Sequence, residues 1–132
     1  MPPVGRYLLD TNILIAMLAG EPTVTAAIGA AAAVYLPSLA VGELFYGAQK
    51  SGRPAANAQV VETLAAAGTV LPYGLNTARR YGELKALLRT RGTPIPENDI
   101  WIAALAREHD LTLATRDHQF AALPELATVS WT

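Results

Sequence analysis

Short apolar runs that stop on a polar residue and hand over to a helix-like stretch recur along this chain, and the run from Tyr7 to Leu18, YLLDTNILIAML, shows the pattern most sharply. Tyr7, Leu8 and Leu9 read as a buried strand. The character breaks at Asp10, Thr11 and Asn12, and a helical stretch then runs from Asn12 to Ala19, closed by Gly20. Strands separated by helices return by crossovers rather than hairpins, so the alternation predicts an α/β fold: a parallel sheet with helices on both faces, an α/β/α sandwich. In such sheets ligands bind beyond the carboxyl ends of the strands, where strand order reverses. Asp10 stands at the end of the first strand and is a candidate site residue on that ground. Taken alone, capping of the next helix explains it as well.

The alternation continues to the end of the chain. Pro22 or Thr23 opens a second helix through the alanine-rich segment, and Val34 to Leu36 reads as strand two, ended by Pro37. Ser38 is placed as the N-cap of a helix from Leu39 to Gln49, and after the break SGRP another helix spans Pro54 to Ala67. Thr69 to Leu71 is a third strand. Tyr81, Leu84, Leu87 and Leu88 give the following helix its buried side. Beyond a loop marked by Gly92, Pro94 and Pro96, ENDIWIAALARE is a central helix, with Trp101 read as core. Leu111 to Ala114 is strand four, a helical turn lies near Phe120, and a last strand falls around Thr128 to Ser130. No linker or repeat divides the sequence, so residues 1–132 are expected to form one domain.

Cysteine is absent, which removes thiolate chemistry and sulfur-bound zinc and fits a reducing cytoplasm. The apolar stretch from Val24 to Val41 is interrupted by Pro37 and Ser38, and the amino terminus lacks the shape of a secretory signal, so no membrane association is expected. Ten basic against eleven acidic residues give a net charge of -1, which excludes attraction of a polyanion by the chain as a whole. Basic side chains cluster nonetheless at Arg79, Arg80, Lys85, Arg89 and Arg91. These, with Arg116 and His118, are candidate contacts for RNA or a partner, while a solvated helix face explains the segment equally well.

Three further acids join Asp10. Glu43 opens the helix after strand two, Asp99 opens the helix before strand four, and Asp117 follows strand four. Asp99 carries an extra condition: the loop from Gly92 to Asn98 must bring the chain back across the strand exits. Each acid has an innocent role singly, as a cap, a helix-dipole partner, a turn residue or a solvent-facing charge. Were all four to converge at about 5 Å, each like-charged pair would cost roughly 3 kcal/mol at an effective dielectric of about 20. Such a group needs protons, a cation or a partner's arginines. An all-oxygen donor set favours Mg²⁺, with Mn²⁺ as a substitute. Thr11, Asn12, Ser38 and Thr115 are candidate orienting residues, though capping accounts for several of them.

The four acids lie in YLLDTNILI, SLAVGELFYG, PENDIWIAALA and LATRDHQF. In that order and spacing they resemble, over nearly the whole chain, the PIN-domain ribonucleases, and within them the VapC-type toxins of toxin-antitoxin pairs. The resemblance implies a single PIN domain whose acidic pocket holds Mg²⁺, with Asp10 and Asp99 as the firmest ligands by position, Glu43 close behind and Asp117 a more variable fourth. It implies that Thr115 supplies a supporting hydroxyl, that a metal-activated water cleaves RNA without a side-chain nucleophile, and that a cognate antitoxin blocks the pocket. A cytoplasmic homodimer is expected. A non-catalytic PIN module that only receives a partner, or a PIN nuclease working in RNA processing, fits the same residues. A receiver-type phosphoacceptor fits poorly, because the chain has lysine only at positions 50 and 85.

Overall fold

Five parallel strands run through residues 5–132, the part of the chain that the computed structural model describes, in the order β3-β2-β1-β4-β5. Residues 1–4 of the expected domain lie outside the described residues. The strands are β1 (Arg6–Leu9), β2 (Ala33–Pro37), β3 (Thr69–Leu71), β4 (Thr112–Ala114) and β5 (Thr128–Val129). The helices are α1 (Thr11–Leu18), α2 (Pro22–Ala30), α3 (Ser38–Gln49), α4 (Pro54–Ala67), α5 (Leu75–Arg91) and α6 (Glu97–Glu108), followed by a 3₁₀ turn at His118–Ala122. This is the expected α/β/α sandwich, with element boundaries that differ from the sequence reading by a residue or two.

Successive strand residues point to opposite faces, and the two cores follow that alternation. Leu8 and Leu113 join Leu84, Leu88, Ile102 and Leu105 of α5 and α6 on one side. Leu9 and Ala114 join Ile13, Leu14, Val24, Val41 and Val61 of α1 to α4 on the other. Each fully buried leucine or isoleucine contributes on the order of 2 kcal/mol relative to exposure, which fixes the register of these short strands.

Strand order reverses between β1 and β4. The chain steps outward from β1 to β2 and β3, then returns to place β4 on the other side of β1, with Leu9 opposite Ala114. The return is made by α5. Buried Thr77, near the start of α5, accepts a hydrogen bond from the Gly74 N–H and donates to Glu108 at the end of α6. Tyr81 and Lys85, further along α5, bond Glu97 at the beginning of α6. The two helices are therefore antiparallel, and α5 carries the chain toward the strand exits so that α6 starts there and descends into β4. The expected crossing by the Gly92–Asn98 loop is corrected: that loop only reverses direction, with Gly92 in the left-handed region at φ 66° where its missing side chain is needed.

Ser38 also departs from expectation. Pro37, extended at ψ 134°, takes the cap position and Ser38 is the first helical residue, without a capping hydrogen bond from its side chain. Among the described residues no single helix is long and apolar enough to cross a membrane; α1 and α2 reach that length only together, across a bend of 109°. Trp101 is half-buried rather than fully core, its ring stacked on Tyr81 at 4.1 Å and near Tyr73 at 6.0 Å.

Candidate functional site

Asp10 leaves β1 with its N–H bonded to the carbonyl of Ala114 at 3.0 Å, so its backbone is held by β4, the neighbour across the reversal. Its side chain is almost wholly buried, 5% exposed, and is surrounded by donors. Oδ1 accepts the Thr11 N–H at 2.8 Å, which makes Asp10 the N-cap of α1. Oδ2 accepts the Thr115 hydroxyl at 2.8 Å and, at 3.4 Å, an Asn12 amide hydrogen. Capping of α1 by Asp10 is thus observed, and the same carboxylate stands at the strand exit. Burial pushes its carboxyl upward and repulsion from Asp117 adds to this, while the bonds from Thr115 and Thr11 oppose the rise.

Asn12 organises the opposite strand end. Its Oδ1 accepts the Arg116 N–H at 3.1 Å while Nδ2 faces both Asp10 and Thr115, so one amide ties the turn after β1 to the turn after β4. Thr115 in turn accepts the Asp117 N–H at 3.1 Å. Asp117 caps the 3₁₀ turn by accepting the Gln119 N–H at 2.9 Å. Asp99, in the first turn of α6, completes the group. Its carboxyl is pushed up to about 6, first by burial and then by the charges of Asp117 and Asp10, a hydrogen bond with Asp117, and the charge of Glu43. Four acids from four separate connections therefore act on one another at the strand exits. Repulsion among these carboxylates is what a cation or a partner's positive charge would relieve.

The donor set around these acids is entirely oxygen and nitrogen without sulfur, with carboxylates foremost, which suits a hard divalent ion. Among the described residues no three acids or histidines stand close enough together to enclose one. Mg²⁺ does not ask for such a cage, since one or two carboxylates plus waters satisfy it. Buried Asp10 and partly buried Asp99 fit that mode.

The remaining expected residues divide. Thr11 contributes its backbone N–H to Asp10, while its own hydroxyl is buried without a partner. Ser38 takes no part in the bonds around Asp10, which all come from the two turns flanking β1 and β4. Arg116 is not a free contact: its guanidinium grips Glu21 with two bonds, at 3.0 and 3.2 Å, and reaches the Trp131 carbonyl at 3.1 Å. His118 is exposed beside Asp117. Arg79 and Arg80 engage Asn76 and Glu83 on their own helix, Arg91 holds Glu125, and Arg89 is exposed.

Two features escaped the sequence reading. Tyr73, in the turn after β3, lies within the field of Asp10 and Glu43, and burial and both charges push its phenol upward. Its position directly after a strand was the available signal. The other is a groove of about 600 Å³ between α1, α3 and α4, running from Thr11 and Glu43 over Ile15, Leu18, Tyr46 and Val60. Those four large apolar residues are each more than 40% exposed. A continuous apolar surface of that kind marks a binding face rather than scattered exposure.

A family model described as PIN domain matches residues 7–126. Ribonuclease VapC2 of Haemophilus influenzae is 36% identical over 129 residues, covering 96% of this chain and 98% of the relative. The tRNA(fMet)-specific endonuclease VapC of Shigella flexneri is 31% identical over 129 residues, with coverage of 96% and 98%. Among solved structures, VapBC-1 from nontypeable Haemophilus influenzae superposes with a TM-score of 0.88 at 26% identity, covering 96% of this chain and 98% of the other.

Proposed function

The chain belongs to the PIN-domain family, and from that premise we propose that it is a divalent-metal-dependent endoribonuclease of the VapC type, the toxin of a type II toxin-antitoxin pair acting in the cytoplasm. The observation that carries the reading is the mutual influence of Asp10, Asp99, Asp117 and Glu43 at the point where strand order reverses. Relatives named as ribonucleases over nearly the full length of both chains support the same chemistry.

In this reading Asp10 and Asp99 would hold Mg²⁺, with Mn²⁺ as a substitute, Glu43 would join them, and Asp117 would act through water. The ion supplies charge neutralisation at the scissile phosphate and a water acidic enough to attack it at neutral pH. The residues of the chain perform the rest. Thr115, Asn12 and the Thr11 N–H hold the Asp10 carboxylate in one orientation. Asp99, pushed up to about 6 first by burial and then by its acidic neighbours, would offer an ion a second carboxylate from the first turn of α6. The side chains Ile15, Leu18, Tyr46 and Val60 give the antitoxin an apolar seat that ends beside Glu43, so a basic residue on that partner would meet the acids directly. A homodimer is expected to present the protein to its partner.

The test is cleavage of total cellular RNA by purified protein with Mg²⁺, with Asp10→Asn as control. Cleavage by the parent and none by the variant is the expected result. Intact RNA in both, together with no Mg²⁺ binding and tight binding of the product of an adjacent reading frame, would return the chain to a non-catalytic partner-binding module.

A further inference from the structure

We propose that Tyr73 is a positioning residue for Glu43: its phenolic O–H donates to the Glu43 carboxylate when that side chain turns inward toward an ion held by Asp10. The inference rests on the metal-dependent reading of the site and adds to it a residue outside the four acids.

The Tyr73 hydroxyl is buried and has no hydrogen-bond partner among the described residues. An unpaired buried hydroxyl is destabilising, and polar groups of this kind are ordinarily satisfied. Its direction is set by packing. Tyr73 lies over Trp101 at 6.0 Å with the ring planes 29° apart, and Trp101 is stacked in turn on Tyr81 at 4.1 Å and 9°. The ring therefore stands still while the hydroxyl waits for an acceptor.

Two carboxylates act on the phenol, those of Asp10 and Glu43. Asp10 is already supplied, by the Thr11 N–H, the Thr115 hydroxyl and the Asn12 amide. Glu43 is exposed on α3 and accepts no bond recorded among the described residues. A donor without an acceptor thus lies within the field of an acceptor without a donor, and the proposed turn of the Glu43 side chain would pair them. Burial and the neighbouring charges keep the phenol protonated, so the donor persists at every working pH. Groups that orient metal-binding carboxylates in this way ordinarily change metal affinity by 10- to 100-fold when removed.

The experiment is Mn²⁺ titration calorimetry on the wild type, Tyr73→Phe, Glu43→Gln and the double variant, with melting temperatures measured in a chelator. Phenylalanine keeps the ring stack and deletes only the unpartnered hydroxyl. Tyr73→Phe is expected to melt no lower than the wild type and to bind Mn²⁺ about tenfold more weakly. In the Glu43→Gln background the same substitution is expected to add nothing further. Wild-type affinity in Tyr73→Phe, or losses that add in full across the double variant, would overturn the proposal while leaving the nuclease reading intact. A wild type that binds no Mn²⁺ would overturn both. Should Tyr73→Phe fold poorly, the Tyr73 ¹³Cζ resonance of the wild type serves instead: it is expected to move on addition of Mg²⁺, and a fixed resonance refutes the pairing.

Discussion

Replacing Asp99 by asparagine removes a charge while keeping shape, and the site geometry makes its sign counterintuitive: the variant should be the more stable protein without metal. Burial and the neighbouring acids push the Asp99 carboxyl up to about 6 from its ordinary 3.8. A carboxyl whose folded value is raised adds stability below its unfolded value, and that contribution is lost as pH rises through the folded value. Above pH 7 the ionised group therefore burdens the fold by at most about 3 kcal/mol at 1.36 kcal/mol per pH unit. Asp99 is partly exposed, so solvent screening reduces this to roughly 1–2 kcal/mol. Asparagine also forfeits about 0.5 kcal/mol of interaction with the amino end of α6. The net gain is about 1 kcal/mol, or roughly 3–4 °C in melting temperature for a chain of this size. Calorimetric melts in a chelator at pH 7.5 should show it, and by pH 4.5 about two thirds of the electrostatic gain should be gone. Saturating Mn²⁺ should reverse the order, since an ion at 100 times its dissociation constant stabilises the wild type by about 2.7 kcal/mol. A variant less stable than wild type at pH 7.5 without metal, or a difference that ignores pH, would refute crowding of charge at Asp99.

Asp10→Asn should abolish RNA cleavage, at least about 100-fold, with an unchanged circular dichroism spectrum; a cleaving variant would remove Asp10 from the reaction. Thr115→Val withdraws the hydroxyl bonded to Asp10 at 2.8 Å and should cost about 1–3 kcal/mol in urea unfolding at pH 7.5, with cleavage reduced 10- to 100-fold. Glu21→Gln weakens the two-bond grip of Arg116, whose side chain is 27% exposed against 44% for Glu21, and should lower the urea midpoint by less than the equivalent of about 1 kcal/mol. Ile15→Glu, in the apolar groove, should weaken capture by the co-expressed antitoxin in a pull-down while RNA cleavage persists.

The alternation of apolar strand and amphipathic helix made the sandwich legible, because period and punctuation are written locally. Asp10 was legible for the same reason: a carboxylate between Leu9 and Ile13 interrupts two buried runs. The position of Asp99 was not, because it depends on which way α5 travels, and periodicity describes a helix without giving its direction. Glu21 and Arg116 lie 95 residues apart, so nothing local announces that they pair, and a guanidinium considered as a contact for RNA or a partner is held by a carboxylate of the fold. Ser38 was misplaced by one residue, since Pro37 already supplies the extended backbone a helix entry needs. Tyr73 drew no notice in the sequence, because only packing shows that its hydroxyl has no partner.

The central strand is made first and its working neighbour nearly last: the Thr115 hydroxyl reaches Asp10 across 105 residues of intervening chain. A nascent chain that already includes Asp10, Glu43 and Asp99 still lacks the hydroxyl that orients Asp10, and closure of so distant a contact is a slow step in folding. The tie that orients Asp10 thus comes only with the closing stretch of the chain, so the proposed activity would wait on nearly complete synthesis.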